Sequence, residues 1–219
     1  MNAGIDLEEA LRHLGAADDV LPRVIEVVGP PKLREPSPFA FQALARAIVF
    51  QQLSGKAAGT ILGRFVALFG EADDSIHGFF PEPEQVLAAE EETLRSAGVS
   101  QQKAAALHDL AAHFAEGQLS TDQFASWGDD EIIAHLTQVR GVGVWTAQMF
   151  LMFQLLRPDV LPTADVGLNR AIQRLYSLDA PPKPPEIEEI GAPWHPWATI
   201  ACWYLWRSED VPLELWTSA

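Results

Sequence analysis

Apolar residues in this chain recur at intervals of three and four in almost every stretch long enough to test. Phe41, Leu44, Ala45, Ile48 and Val49 form one stripe, and Ala57, Ala58, Ile61, Leu62, Phe65 and Leu68 form another. That spacing places the apolar side chains on one face of a helix. Runs with a period of two are nearly absent, so there is no signal for a sheet. Asp6, Ser54 and Ser100 precede such stripes and can accept hydrogen bonds from first-turn amides, and Ser37-Pro38 predicts another helix start. Gly29-Pro30-Pro31, Gly70 and Gly117 supply stops. Helices are expected from Asp6 to about Leu14, over 17–28, from Ser37-Pro38 through Val49, and from Ser54 to Gly70. Others are expected over 83–97, 100–116, 129–137, 143–156, 165–177 and 194–208. The PPKPP run at 181–185 reads as a loop or short spacer. The expected fold is all-α, with about ten helices.

Composition narrows the function. With 219 residues, 48% of them hydrophobic and 21% charged, the chain can bury a core and is not disordered. A net charge of −15 argues against a non-specific binder of nucleic acid or anionic membranes. The single cysteine, Cys202, excludes an internal disulfide and a four-cysteine zinc or iron–sulfur site. His13, His77, His108, His113, His135 and His195 lack zinc-like spacing and read as ordinary histidines. The first residues, MNAGIDLEEA, lack the basic and then apolar run of a secretory signal. No stretch nears the roughly 20 apolar residues of a membrane helix, so a cytoplasmic protein is expected.

The most informative segment is LTQVRGVGVWTA, residues 136–147. A helix carrying Leu136 runs into a turn at Gly141-Val142-Gly143, and a second helix starts at once. Glycines on either side of one apolar residue permit a tight turn and leave amides uncovered. Those amides lie at a helix N-terminus, where unsatisfied donors and the positive dipole end favour an anion. The turn is therefore a candidate phosphate cradle that needs no basic side chain.

Together with RAIVFQQLSGKAA (46–58), LRSAGVSQQKAAAL (94–107), RPDVLPTADVGLNRAI (157–172) and HPWATIACWYLWR (195–207), this hairpin resembles the helix-hairpin-helix DNA glycosylases. Within that superfamily the chain is similar to the 3-methyladenine DNA glycosylase II family. The resemblance implies two helical subdomains with the active-site cleft between them, and no N-terminal β-sheet domain. One would comprise 1–100 plus 181–219. The other would be 101–180, with the hairpin (136–147) and a Gly/Pro-rich loop (157–165) ending in the catalytic aspartate, Asp165. It implies double-stranded DNA with damaged bases as the partner of a monomeric enzyme, associated with the nucleoid when bound. The charge distribution is compatible. Segments 37–70 and 137–177 hold seven basic and two acidic residues, a local balance of +5, while the rest of the chain carries −20.

The chemistry follows from that assignment. Cleaving an N-glycosidic bond passes through an oxocarbenium-like sugar, which a facing carboxylate stabilises while orienting water. An N-alkylated purine is cationic and departs neutral, so no strong general acid is required. By position alone Asp165 is also a good N-cap for the helix that follows, and the two roles are compatible. The reading requires the carboxylate to stay reachable. Strand-nicking relatives carry a hairpin lysine that forms a Schiff base with the sugar. Trp145 occupies that position here, which implies a monofunctional enzyme without lyase activity.

Further residues carry roles by resemblance. Trp145 would stack on the extruded base, with Trp206 and Met149 lining its pocket and the indoles attracting a cationic base. Gln52 or Leu53 would fill the gap left in the duplex. Gly141, Gly143, Thr146 and Ser54 would meet the DNA backbone. The carbonyls of Thr137, Val139 and Val142 would accept a monovalent cation, sodium or potassium, with no other cofactor needed. Two rivals remain open: a glycosylase for oxidised or deaminated bases, and a non-catalytic DNA-binding hairpin protein.

Overall fold

The computed structural model describes residues 5–33, 35–70, 79–212 and 216; His77 lies outside them. Among the described residues are thirteen α-helices and two short 3-10 turns, with no strand. No helix among them is long and apolar enough to cross a membrane. The chain divides into two compact units, Met1–Arg34 with Leu151–Ala219, and Glu35–Phe150.

The first unit contains α1 (Leu7–Leu14), α2 (Leu21–Val28), α11 (Val166–Leu175), α12 (Pro184–Gly191) and α13 (Ala198–Arg207). Trp194, Tyr204, Leu14 and Leu21 are fully buried there. A polar network stands at one edge of this core. Oδ1 of Asp18 accepts the Val20 and Leu21 amides at 2.8 and 2.7 Å, starting α2. Oδ2 accepts the Tyr176 hydroxyl at 2.6 Å and the Trp194 indole N–H at 3.1 Å.

The second unit contains α3 (Ala40–Phe50), α4 (Gly55–Ala67), α5 (Pro83–Ala88), α6 (Glu91–Ser96), α7 (Gln101–Ala115), α8 (Thr121–Ser126) and α9 (Asp129–Leu136). The boundary falls within α10 (Val144–Phe153). Serines start three of these helices: the side chains of Ser54, Ser100 and Ser120 accept the amides of Ala57, Lys103 and Gln123. A ladder of edge-to-face rings runs Phe41–Phe114 and Phe124–Phe150.

Several expectations need correction. The division does not fall at residue 100, because α7 packs on α3, α5 and α6 and joins 101–150 to 35–100. The 83–97 segment is two helices: Ala89 and Glu90 are extended, and the break lets Val86 and Leu94 both bury fully. Ser37 does not cap α3. It sits two residues early, its hydroxyl bound to the Gln42 side chain at 2.7 Å, and Phe39 is the capping position. PPKPP is not only loop, since α12 begins at Pro184, where a missing amide costs nothing. The short helix α8 was not foreseen.

Candidate active site and nucleic-acid interface

The hairpin forms as its sequence suggests. α9 ends at Leu136, and Thr137 bonds back to Ile133 through both its amide and its hydroxyl. The chain then turns through Gly141 at φ +77°, a conformation that strongly favours glycine. A Cβ there would also lie 3.2 Å from the Ala106 methyl. The first amide bonded within α10 is that of Ala147, to the Gly143 carbonyl. The amides of Gly143 and Val144 therefore stand at the open helix end, the arrangement that receives an anion. Val144 and Trp145 are exposed, Trp145 by 46%.

The loop between α3 and α4 is braced against this hairpin by residues that sequence reasoning missed. Nε2 of Gln51 donates to the Gly141 carbonyl at 3.0 Å and lies 3.4 Å from the Thr146 hydroxyl. Nζ of Lys103 donates to the Val49 and Gln51 carbonyls at 2.8 and 2.7 Å, capping α3, and burial pushes its pKa down. Past this anchor, Gln52 adopts φ 56°, a strained conformation for a residue with a side chain. Gln52, Leu53 and Ser54 are all exposed. Thr146 itself is buried, its hydroxyl beside the Gln51 side-chain amide.

In the other unit, Asp165 caps α11. Its Oδ1 accepts the Leu168 amide at 2.6 Å and the Trp206 indole N–H at 2.9 Å. Asp165 is 9% exposed, buried but not sealed. Trp206 is half-buried and packs against Phe153 with ring centroids 5.9 Å apart. Gly167 explains the closeness of that pair: a Cβ there would meet Oδ1 of Asp165 at 3.2 Å and the Trp206 ring at 3.4 Å. The neighbouring thiol of Cys202 is fully buried. Burial first, then the charge of Asp165, push its pKa up, so it stays protonated and unreactive.

The predicted residues thus divide between the units. Ser54, Gln52, Leu53, Thr137, Val139, Gly141, Val142, Gly143, Trp145, Thr146 and Met149 belong to one, and Asp165 and Trp206 to the other. Met149 is half-buried. Among the described residues no cluster of three His, Cys, Asp or Glu side chains is placed to hold a metal.

An all-helical chain with a Gly-x-Gly interhelical turn, an amide-lined helix start and a capped aspartate after a proline-rich loop has the parts of a helix-hairpin-helix DNA repair protein. The chain belongs to the HhH-GPD superfamily of base excision DNA repair proteins, whose family model matches residues 45–196. DNA-3-methyladenine glycosylase 1 of Schizosaccharomyces pombe is 32% identical, over 94% of this chain and 89% of its own. The solved structure of an S. pombe 3-methyladenine DNA glycosylase in complex with abasic DNA superposes with a TM-score of 0.79 at 31% identity, covering 93% of this chain and 97% of that one. A longer Bacillus subtilis relative is 36% identical over 77% of this chain, which spans 58% of that relative's length.

Proposed function

We propose that this chain is a monofunctional DNA glycosylase of base excision repair, releasing alkylated bases of the 3-methyladenine type by hydrolysis and leaving an abasic site. The observation that carries the reading is Asp165 itself. In a chain of this family, a carboxylate ends the proline-rich loop with Oδ1 fixed by two donors while the residue stays open to solvent at 9% of its surface. As the bond between base and sugar breaks, its electron pair leaves with the cationic base, which departs neutral. The carboxylate stabilises the developing sugar cation and orients the water whose oxygen bonds to the anomeric carbon; the water's proton passes to the carboxylate or to solvent.

The hairpin amides would take the phosphate and Trp145 would stack on the everted base. Gln52 or Leu53 would fill the gap, and the left-handed backbone at Gln52, at the loop tip, favours it as the wedge. A sodium or potassium ion would be held at the hairpin turn. Its ligands would be the carbonyls of Thr137, Val139 and Val142, neutral oxygens suited to a monovalent cation, which would add positive charge beside a phosphate. The Val139 carbonyl already accepts the Val142 amide at 3.0 Å, which uses one of its two lone pairs. Trp145 cannot form a Schiff base, so no strand nicking is expected. The protein would act as a monomer on damaged duplex DNA in the cytoplasm, on the nucleoid when bound.

Incubation with methylated and with oxidised duplexes tests the reading. Free methylated purines and abasic sites should appear only with the first, and borohydride should trap no covalent adduct. Release from the oxidised duplex alone, or a trapped adduct, would overturn it.

A further inference from the structure

The loop that ends in Asp165 is held at both ends by one helix. Its far end, Asp165, accepts the indole N–H of Trp206, in the last turn of α13. Its near end meets the first turn of the same helix through Thr199, which is 1% exposed. The Thr199 hydroxyl donates to the Arg157 carbonyl at 2.6 Å and accepts the Val160 amide at 3.1 Å. The Thr199 amide donates to the Pro158 carbonyl at 3.0 Å. One residue thus joins three of the four residues 157–160. Asp159 completes the joint, its Oδ1 accepting the Ala198 amide at 3.3 Å and lying 2.7 Å from Nδ1 of His195.

The path from this joint to the carboxylate is short and has little slack. Leu156 enters it at φ 53°, a strained conformation that surrounding bonds must enforce. The Arg157 amide returns to the Leu151 carbonyl at 2.9 Å. Beyond Val160 the chain folds on itself through Thr163 N to Leu161 O and Asp165 N to Pro162 O. Leu161 seats against Gly191, where a Cβ would come within 2.8 Å of it. A shift at residues 157–160 is therefore passed along five residues to Asp165 rather than absorbed.

Resting on the glycosylase reading above, we propose that Thr199 is a positioning residue for the reaction: its hydroxyl sets where the Asp165 carboxylate stands without touching DNA. Only a group that donates and accepts at once can hold Arg157 and Val160 together. Valine has the same shape and can do neither.

The test compares wild type with Thr199→Ser, Thr199→Val and Thr199→Ala. Two quantities are read: single-turnover release of methylated base, and equilibrium affinity for duplex DNA carrying an abasic-site analogue. Serine should stay within about twofold of wild type in rate. Valine and alanine should slow release at least tenfold while affinity for the abasic duplex moves less than twofold, because small displacements at a reacting centre cost rate steeply. Should valine not fold, alanine carries the comparison. Wild-type rates in valine or alanine would overturn the proposal, as would serine slowing as much as they do, or affinity falling in step with rate. A wild type that releases no base overturns the glycosylase reading and this inference with it; an active wild type beside equally active variants overturns this inference alone.

Discussion

Asp18 and Asp165 lie in the same unit and are built alike. Each caps a helix, α2 and α11, and each accepts an indole N–H, from Trp194 and from Trp206. They differ in where the indole lands: at Asp18 on the oxygen opposite the capped amides, at Asp165 on the same oxygen as the capped amide. At Asp18 both carboxylate oxygens are occupied by named donors, Oδ1 by two amides and Oδ2 by Tyr176 and Trp194. At Asp165 the amide and the indole converge on Oδ1. The same local grammar thus serves a structural joint at Asp18 and, on the reading proposed above, the reacting carboxylate at Asp165.

The comparison breaks most sharply with Asp165→Asn against Asp18→Ala. Asparagine caps a helix about as well as aspartate, so the first change should cost under about 0.5 kcal/mol of stability. It removes the charge that the proposed mechanism sets against the sugar cation, and base release should fall about 100- to 1,000-fold in single-turnover assays. Asp18→Ala should leave the rate of the folded protein within about twofold. It strips a cap and leaves a half-buried hydroxyl and a buried indole N–H unpaired, which should cost about 2–4 kcal/mol in urea unfolding. An Asp18→Ala variant as stable as wild type but inactive would reverse the assignment of the two sites.

Smaller changes sharpen the contrast. Trp206→Phe keeps an aromatic ring but removes the pyrrole half of the indole, and with it the donor to Asp165. Release should slow about tenfold, the worth of one charge-assisted hydrogen bond, with melting changed little. Gly167→Ala presses a methyl to 3.2 Å from Oδ1 of Asp165 and 3.4 Å from the Trp206 ring. A few-fold loss of rate is expected, visible by kinetics and not by circular dichroism.

These two aspartates also show what a sequence yields. The helices were legible because apolar residues recur at three and four and because Ser54, Ser100 and Asp165 stand where caps belong. The hairpin was legible because Gly141 must take a positive φ. Asp165 was singled out by resemblance, since as a cap it looks no different from Asp18. What stayed hidden depends on partners distant in sequence. Trp206 reads as a wall for a base until its N–H is seen on a carboxylate 41 positions earlier. Gln51 and Lys103 reach residues 90 and 54 positions away, and nothing in QQLSGK announces either bond. The unit boundary was misjudged for the same reason: which faces of α7 are covered is settled by tertiary packing and not by its own period.

The smallest expected effect is the dependence on acid. Burial alone would raise the pKa of Asp18, but the hydrogen bonds from Tyr176, Leu21, Trp194 and Val20 outweigh it and hold the carboxyl below the ordinary aspartate value of 3.8. A folded pKa below the unfolded one contributes stability that is fully present above the unfolded value and is lost as pH falls through the folded one. The stability gap between wild type and Asp18→Asn should thus be constant from pH 7 to about pH 5 and should narrow between about pH 4 and pH 2. Urea midpoints of the two proteins at pH 7, 5, 3 and 2 would measure it. The carboxylate is partly solvated, so screening keeps the change modest. A gap that widens on acidification would mean that the protonated carboxyl, not the carboxylate, holds Tyr176 and Trp194 in place, and Asp18 could then no longer serve as the ionised structural counterpart of Asp165.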